Sequence, residues 1–381
     1  MRFHILTDRI SPYHSGGLEN SILRIAKILQ EMGNEIFVYI TDEIEERDLI
    51  NPYNICYVSL YESIEELLEP IEEIYKRNNL YFRSIYQIMQ NRLSCHDINK
   101  DEDVLLSFYI SSYGFVQQRL ADSLNLKHIA FVRGSDYSMD MHIPGKMSCI
   151  QYVCNNCSLI VTTNSEQINN LSRVFDIGIE KFRLCYNPVS NVNKQRIQAD
   201  KEKPLFITDA GYSWKKGTHI LFKSFEMLYK KTEGKCRLYI CGPTTSSERN
   251  YWDRVRARLK DTYQQDIIMD DYNYNFEAMY SQASAYVFPS LAEGCSNALL
   301  KSLSQDIPVI TTETGTMPEL KDVLPGVSCV KPADADELFH AMFDVIESPV
   351  CGSYDARIKM ISDLFSEERE RETLKKIVDT I

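Results

Sequence analysis

The chain has 381 residues, of which 44% are hydrophobic and 25% charged, the make-up of a globular protein long enough for two domains with separate cores. A net charge of −12 argues against nucleic-acid binding, which calls for a basic face, and no run of about 18 apolar residues is present to span a bilayer. Eleven scattered cysteines, an odd number, argue against a disulfide framework and for reduced thiols in the cytoplasm.

The opening, Met1 to Asp8, turns polar too early for a secretory signal and reads as a first parallel strand over 3–7. Ser15-Gly16-Gly17-Leu18-Glu19 follows it and opens an amphipathic helix over 18–32 that Gly33 ends. Further first-half strands are predicted at 35–40, 104–108, 128–132 and 159–163.

Between them the charge is uneven. Six glutamates crowd Glu62 to Glu73, whereas 74–96 holds no acid and carries Lys76, Arg77, Arg83 and Arg92. In that stretch Phe82, Ile85, Tyr86, Met89 and Leu93 share one helical face. Two readings stand: a helix resting on an anionic membrane or lipid-linked acceptor, or a helix packed on the sheet with its basic residues in water. Cys154-Asn155-Asn156-Cys157 has metal-ligand spacing, but a zinc site takes about four ligands and only Cys149 is near, so buried thiols are expected.

The segment 188–204 is polar, contains Pro188 and Pro204, and reads as a linker between a first domain at 1–187 and a second at 205–355. Strands then recur at 205–210, 237–241, 267–269, 285–288 and 309–311, with helices at 219–230, 251–264 and 275–282. A charged helix over 367–381 closes the chain. Strands alternating with helices in both halves predict two facing doubly wound α/β domains, with ligands in the cleft at the carboxyl ends of the strands.

Two glycine-bearing loops in the second half carry chemistry. Gly211-Tyr212-Ser213-Trp214-Lys215-Lys216-Gly217 joins a strand to a helix and places two ammonium groups there. Phe288-Pro289-Ser290-Leu291-Ala292-Glu293-Gly294-Cys295-Ser296-Asn297 joins a strand to a helix whose start offers N–H groups and partial positive charge to an anion. Gly16 and Gly17 allow close backbone approach but lack the third glycine of a dinucleotide fingerprint, so NAD binding is not supported.

The second loop, together with Gly315-Thr316-Met317-Pro318-Glu319, resembles the donor-binding signature of family 4 retaining glycosyltransferases, which have the two-domain GT-B fold. Gly211 to Gly217, Asn187-Pro188-Val189, Tyr239-Ile240-Cys241-Gly242-Pro243 and the Gly16-Gly17 turn resemble further elements of that family in the same order. The resemblance implies transfer of a sugar, with retained configuration, from a nucleotide diphosphate sugar to a glycan, glycolipid or small-molecule hydroxyl. No cofactor or metal is implied. Lys216, with Lys215 beside it, would neutralise the leaving diphosphate, and Glu293 would hold donor-sugar hydroxyls. Gly16, Gly17, Gly242, Pro243, Gly294, Cys295, Ser296, Asn297, Lys301 and Glu319 would line the donor. Arg133, Ser135 and Asp136 fall where the family approaches the acceptor, and Asp136 is either a proton acceptor or the cap of a turn. The tail at 356–381 is expected to return to the first domain, and the protein to work in the cytoplasm, with a peripheral membrane contact if 74–96 provides one.

Two departures stand out. The family often has arginine where this chain has Tyr212, and it usually has a second glutamate where this chain has Lys301. An ammonium only donates hydrogen bonds, so it cannot accept from ribose hydroxyls. Glu319 could serve instead, Lys301 could reach phosphate, or the nucleotide site could be lost in a non-catalytic partner subunit or glycan-binding module. A sugar-nucleotide epimerase ranks last, because the acids and histidines it needs are not found.

Overall fold

The computed structural model describes residues 1–8, 16–41, 55–60, 74–95, 97–189, 202–244, 246–272, 276–348 and 354–381. Ser15, the acidic run 62–73 and most of the expected linker lie outside them. The chain divides into two compact units, Met1–Asn187 with Glu370–Ile381, and Pro188–Arg369.

The first unit is a parallel sheet of seven strands: β1 (Arg2–Thr7), β2 (Glu35–Ile40), β3 (Cys56–Ser59), β4 (Asp103–Ser107), β5 (Lys127–Phe131), β6 (Leu159–Thr162) and β7 (Phe182–Leu184). Their order is β3-β2-β1-β4-β5-β6-β7, so the winding reverses between β1 and β4. The register pairs Arg2 with Glu35 on one side of β1 and with Asp103 on the other. β1 is buried from Phe3 to Thr7 and β4 along its whole length, because both of their faces are covered. Helix Gly17–Glu31 seats Ile22, Ile25, Ala26 and Leu29 on one face, and Leu374 and Ile377 of helix Glu367–Thr380 join the same core. Arg24 donates through Nε and Nη2 to Glu370 Oε2 and Oε1 at 2.7 and 3.0 Å, fastening the returning helix to this unit. The rest of the tail, helix Asp355–Leu364, belongs to the second unit.

Helix Ile74–Cys95 uses its apolar face for packing. Ile85, Met89 and Leu93 are fully buried with Leu105 and Leu120, and Phe82 and Tyr86 pack against them. The face that a membrane would need is thus already committed to the core, and the packed-helix reading describes the structure. Among the described residues no helix is long and apolar enough to cross a membrane. Cys154 and Cys157 are buried in an apolar cluster with Ile150, Val153 and Leu171. Burial pushes both thiols up, Cys157 to about 12.

The second unit has six parallel strands: β8 (Leu205–Thr208), β9 (Arg237–Cys241), β10 (Ile267–Asp270), β11 (Ala285–Phe288), β12 (Val309–Thr312) and β13 (Val327–Val330). Their order is β10-β9-β8-β11-β12-β13, which puts a reversal between β8 and β11. Ligands of open α/β sheets bind outside the carboxyl ends of the strands at such a reversal. Arg357 pins this unit from within. Fully buried, it donates to the carbonyls of Leu303, Gln305, Ile307, Pro325 and Gly326.

Candidate functional site

The loops leaving β8 and β11 meet at that reversal. Leu291 N donates to Lys215 O at 2.8 Å, and Ser290 Oγ lies 3.1 Å from the same carbonyl. Gly217 makes the approach possible: its φ is +66°, and a Cβ there would stand 1.9 Å from Pro289 O. The helix Thr218–Lys231 starts directly after it.

This crossing brings Lys216 and Glu293 together. Lys216 Nζ lies 2.7 Å from Glu293 Oε1, and Ser290 Oγ donates to the same oxygen at 2.6 Å. The ammonium also sits 5.2 Å from the centre of the Phe288 ring. Both charges keep some contact with solvent, so the pair can exchange partners when an anion arrives.

Asp209, at the end of β8, had no place in the sequence-based site. Tyr286 donates to its carboxylate at 2.5 Å. Burial raises its pKa, while Tyr286, Lys301 and Lys216 pull it down. Both lysines are therefore near enough to act on it. The strand-end sequence Asp209-Ala210-Gly211 was the only available clue. Lys301, on helix Asn297–Leu303, pairs with Glu277 Oε1 at 2.8 Å. The residue that departs from the resembled pattern thus brings its own counter-charge. Ser296 caps that helix by accepting from Leu299 N, Cys295 is buried, and Asn297 Oδ1 is buried without a partner. Gly294 lies in the turn before the cap, and Glu319 is exposed on helix Met317–Leu320.

Tyr212 does not replace the expected arginine. It is fully buried, its hydroxyl donates to Ile240 O at 3.1 Å, and Arg256 covers its ring at 4.6 Å. Its side chain builds the core. Gly211 and Gly242 cross closely beside it, where a Cβ on Gly242 would lie 2.8 Å from Gly211 Cα. Tyr212 N then donates to Pro243 O at 3.0 Å.

In the first unit, Gly16 is the N-cap of helix Gly17–Glu31, and Gly17 is exposed. Asp136 follows β5 in the short helix Ser135–Ser138. It is fully buried and accepts from the backbone N–H groups of Ile110, Arg133, Gly134 and Tyr137. Burial raises its pKa and these four donors oppose the rise. Held by these four amides, its carboxylate braces the turn after β5. Arg133 is drawn inward: Nη1 donates to Asn187 Oδ1 at 3.0 Å, and the guanidinium lies 5.0 Å from the Phe131 ring and 5.2 Å from that of Phe108. Among the described residues no group of three or more His, Cys, Asp or Glu could hold a metal ion.

Two parallel doubly wound units of this topology are the architecture of the GT-B fold. Residues 202–348, which lie in the second unit, match the family model described as Glycosyl transferases group 1, and the chain has the GT-B fold. One sequence relative, the O-antigen chain mannosyltransferase RfbU of Salmonella typhimurium, is 24% identical over 196 residues. That alignment takes in 51% of this chain and 52% of the relative, so it spans about half of each. Among solved structures, Anabaena HepE in complex with UDP and glucose matches with a TM-score of 0.76 at 12% identity over 100% of both chains. Sucrose-phosphate synthase from Thermosynechococcus elongatus has a TM-score of 0.76 at 12% identity, over 100% of this chain and 98% of its own.

Proposed function

We propose that the protein is a retaining, metal-independent glycosyltransferase of the family 4 type. It moves a hexose from a nucleotide diphosphate sugar to a hydroxyl of a glycan, glycolipid or small acceptor, on the cytoplasmic side. The observation that carries this reading is the Lys216–Glu293 pair at the β8–β11 reversal, held by Ser290. The RfbU relative supports a polysaccharide setting, and the UDP bound by HepE makes UDP the first nucleotide to test.

In the proposed reaction the donor diphosphate takes Lys216 from Glu293. The ammonium stabilises the charge that grows as the bond from C1 to the diphosphate breaks. Glu293, released, accepts from donor-sugar hydroxyls and fixes the ring. The acceptor oxygen forms the new bond to C1 on the same face, and its proton passes to the departing phosphate oxygen. This route gives the proton a destination without calling on Asp136, whose carboxylate is held by backbone amides.

A second reading is a non-catalytic partner subunit, and the Lys301–Glu277 pair favours it, because an ammonium stands where the resembled family accepts from ribose. Thermal shift with UDP, GDP, ADP and dTDP on wild type and on Lys301→Glu separates the two. Stabilisation of the wild type by one nucleotide, followed by sugar transfer that persists in EDTA, supports the enzyme. A response seen only in Lys301→Glu supports the partner subunit.

A further inference from the structure

Arg133 is the one residue among those described that leaves two buried side-chain nitrogens, Nε and Nη2, without a hydrogen-bond partner. Its third nitrogen, Nη1, is held by Asn187. Phe108 and Phe131 favour the cation through their ring faces, but a ring face does not satisfy N–H groups that point outward in the guanidinium plane. Burial lowers the Arg133 pKa to about 10, with Arg24 adding to the effect, and the group stays cationic at neutral pH.

Nε and Nη2 form one edge of the guanidinium, two parallel donors that match the two oxygens of a carboxylate. The same unit shows that edge in use. Arg24 presents Nε and Nη2 to Glu370, one nitrogen to each oxygen. Neighbouring charges are already met: Glu370 by Arg24, and Asp136 by four backbone amides. Both carboxylates act on Arg133 at a distance, and neither hydrogen-bonds its Nε–Nη2 edge. Arg133 follows β5, at the carboxyl end of a parallel sheet, where such sheets receive ligands.

We propose that the Nε–Nη2 edge of Arg133 is a receptor for the carboxylate of an acidic sugar, so that one substrate of this protein is a uronate rather than a neutral hexose. A single charge and a planar pair of oxygens fit this edge better than a phosphate dianion. That the carboxylate is carried by a sugar rests on the glycosyltransferase reading; the seat for a carboxylate does not.

The test is ligand-observed saturation-transfer NMR on the full chain with millimolar glucuronate, glucose and inorganic phosphate, the last followed by its phosphorus line. Wild type should give a glucuronate response about tenfold above that of glucose, consistent with a charge-assisted bidentate contact. Arg133→Lys keeps the charge but loses the paired donors, and should bring glucuronate down to the glucose level. Asn187→Asp puts a compensating carboxylate on Nη1 and leaves the Nε–Nη2 edge in place, and should weaken the glucuronate response several-fold while raising Tm; it decides the matter if Arg133→Lys does not fold. Equal responses to glucuronate and glucose, a glucuronate response untouched by the variants, or displacement of glucuronate by equimolar phosphate would each overturn the proposal. UDP melts on the same samples keep the two readings apart. A nucleotide shift without glucuronate discrimination defeats this inference alone, and the converse defeats the transferase reading alone.

Discussion

Lys216 and Glu293 stand 77 residues apart in sequence, yet Nζ and Oε1 are 2.7 Å from each other because two loops cross at Gly217. Each neutralises the other. Lys216→Met should lower the transfer rate by about 10²–10³-fold, the usual loss when one charge stabiliser is removed. Tm should change little, since a partly exposed ion pair contributes no more than about 1 kcal/mol. Initial rates beside thermal melts check this, and a variant that transfers at the wild-type rate removes Lys216 from the mechanism.

Lys301 pairs with Glu277 and lies within electrostatic reach of Asp209. Lys301→Glu places a second carboxylate against Glu277 and should lower stability by about 0.5–1 kcal/mol. The double change Lys301→Glu with Glu277→Lys restores a pair and should recover most of that loss. Urea unfolding of the four combinations gives the coupling energy directly. Coupling near zero would mean that Glu277 is an incidental neighbour.

Gly217→Ala tests whether the crossing holds the site together. The residue has φ +66° and its new methyl would meet Pro289 O at 1.9 Å, so both backbone conformation and space oppose it. A loss of at least about 2 kcal/mol is expected, combining left-handed strain with the contact. Weakened nucleotide binding should accompany it, because Lys215, Lys216, Ser290 and Glu293 all hang on these two loops. Retained stability would show that the loops have room to part.

His128 gives a pH prediction. Its ring is buried between Gln118 Oε1 at 2.8 Å and Ser107 Oγ at 2.9 Å. Burial lowers its pKa from 6.5 to about 3, against a small upward pull from Asp122. The folded state thus keeps it neutral while the unfolded state takes a proton below pH 6.5. Its contribution is complete above that value and shrinks as pH falls towards 3, at up to about 1.4 kcal/mol per pH unit. His128→Gln should flatten the stability profile between pH 6 and pH 4 relative to wild type. Parallel profiles would place the acid sensitivity elsewhere, with Asp103 next, since its bonds from His4 and Arg2 hold its pKa down despite burial.

Central strands were legible in the sequence because both of their faces are buried, which writes them as unbroken apolar runs such as Phe206 to Ile207 and Tyr286 to Phe288. The strands that sequence reading missed, Cys56–Ser59, Phe182–Leu184 and Val327–Val330, lie at sheet edges, where polar residues such as Ser59, Arg183 and Ser328 face water and interrupt the run. The loop residues Lys216 and Glu293 were legible from their places between strand and helix. Asp209 and Glu277 were not, because what makes them part of the site is proximity to Lys301, which no local pattern encodes. Asp136 and Tyr212 show the limit from the other side. Their sequence positions suit ligand contact, but their side chains turn inward to backbone amides and to the carbonyl of Ile240.

The Arg24–Glu370 fork and the seating of Leu374 and Ile377 against the first sheet bear on how the chain is made. On the ribosome, residues 1–187 emerge long before the helix that completes their core, and the whole of the second unit is synthesised in between. The first unit therefore waits, with part of its apolar surface exposed, while the second can fold as soon as its own last helix is out. In a nascent-chain pulse-proteolysis experiment the later segment should become protease-resistant first, reversing the order of synthesis.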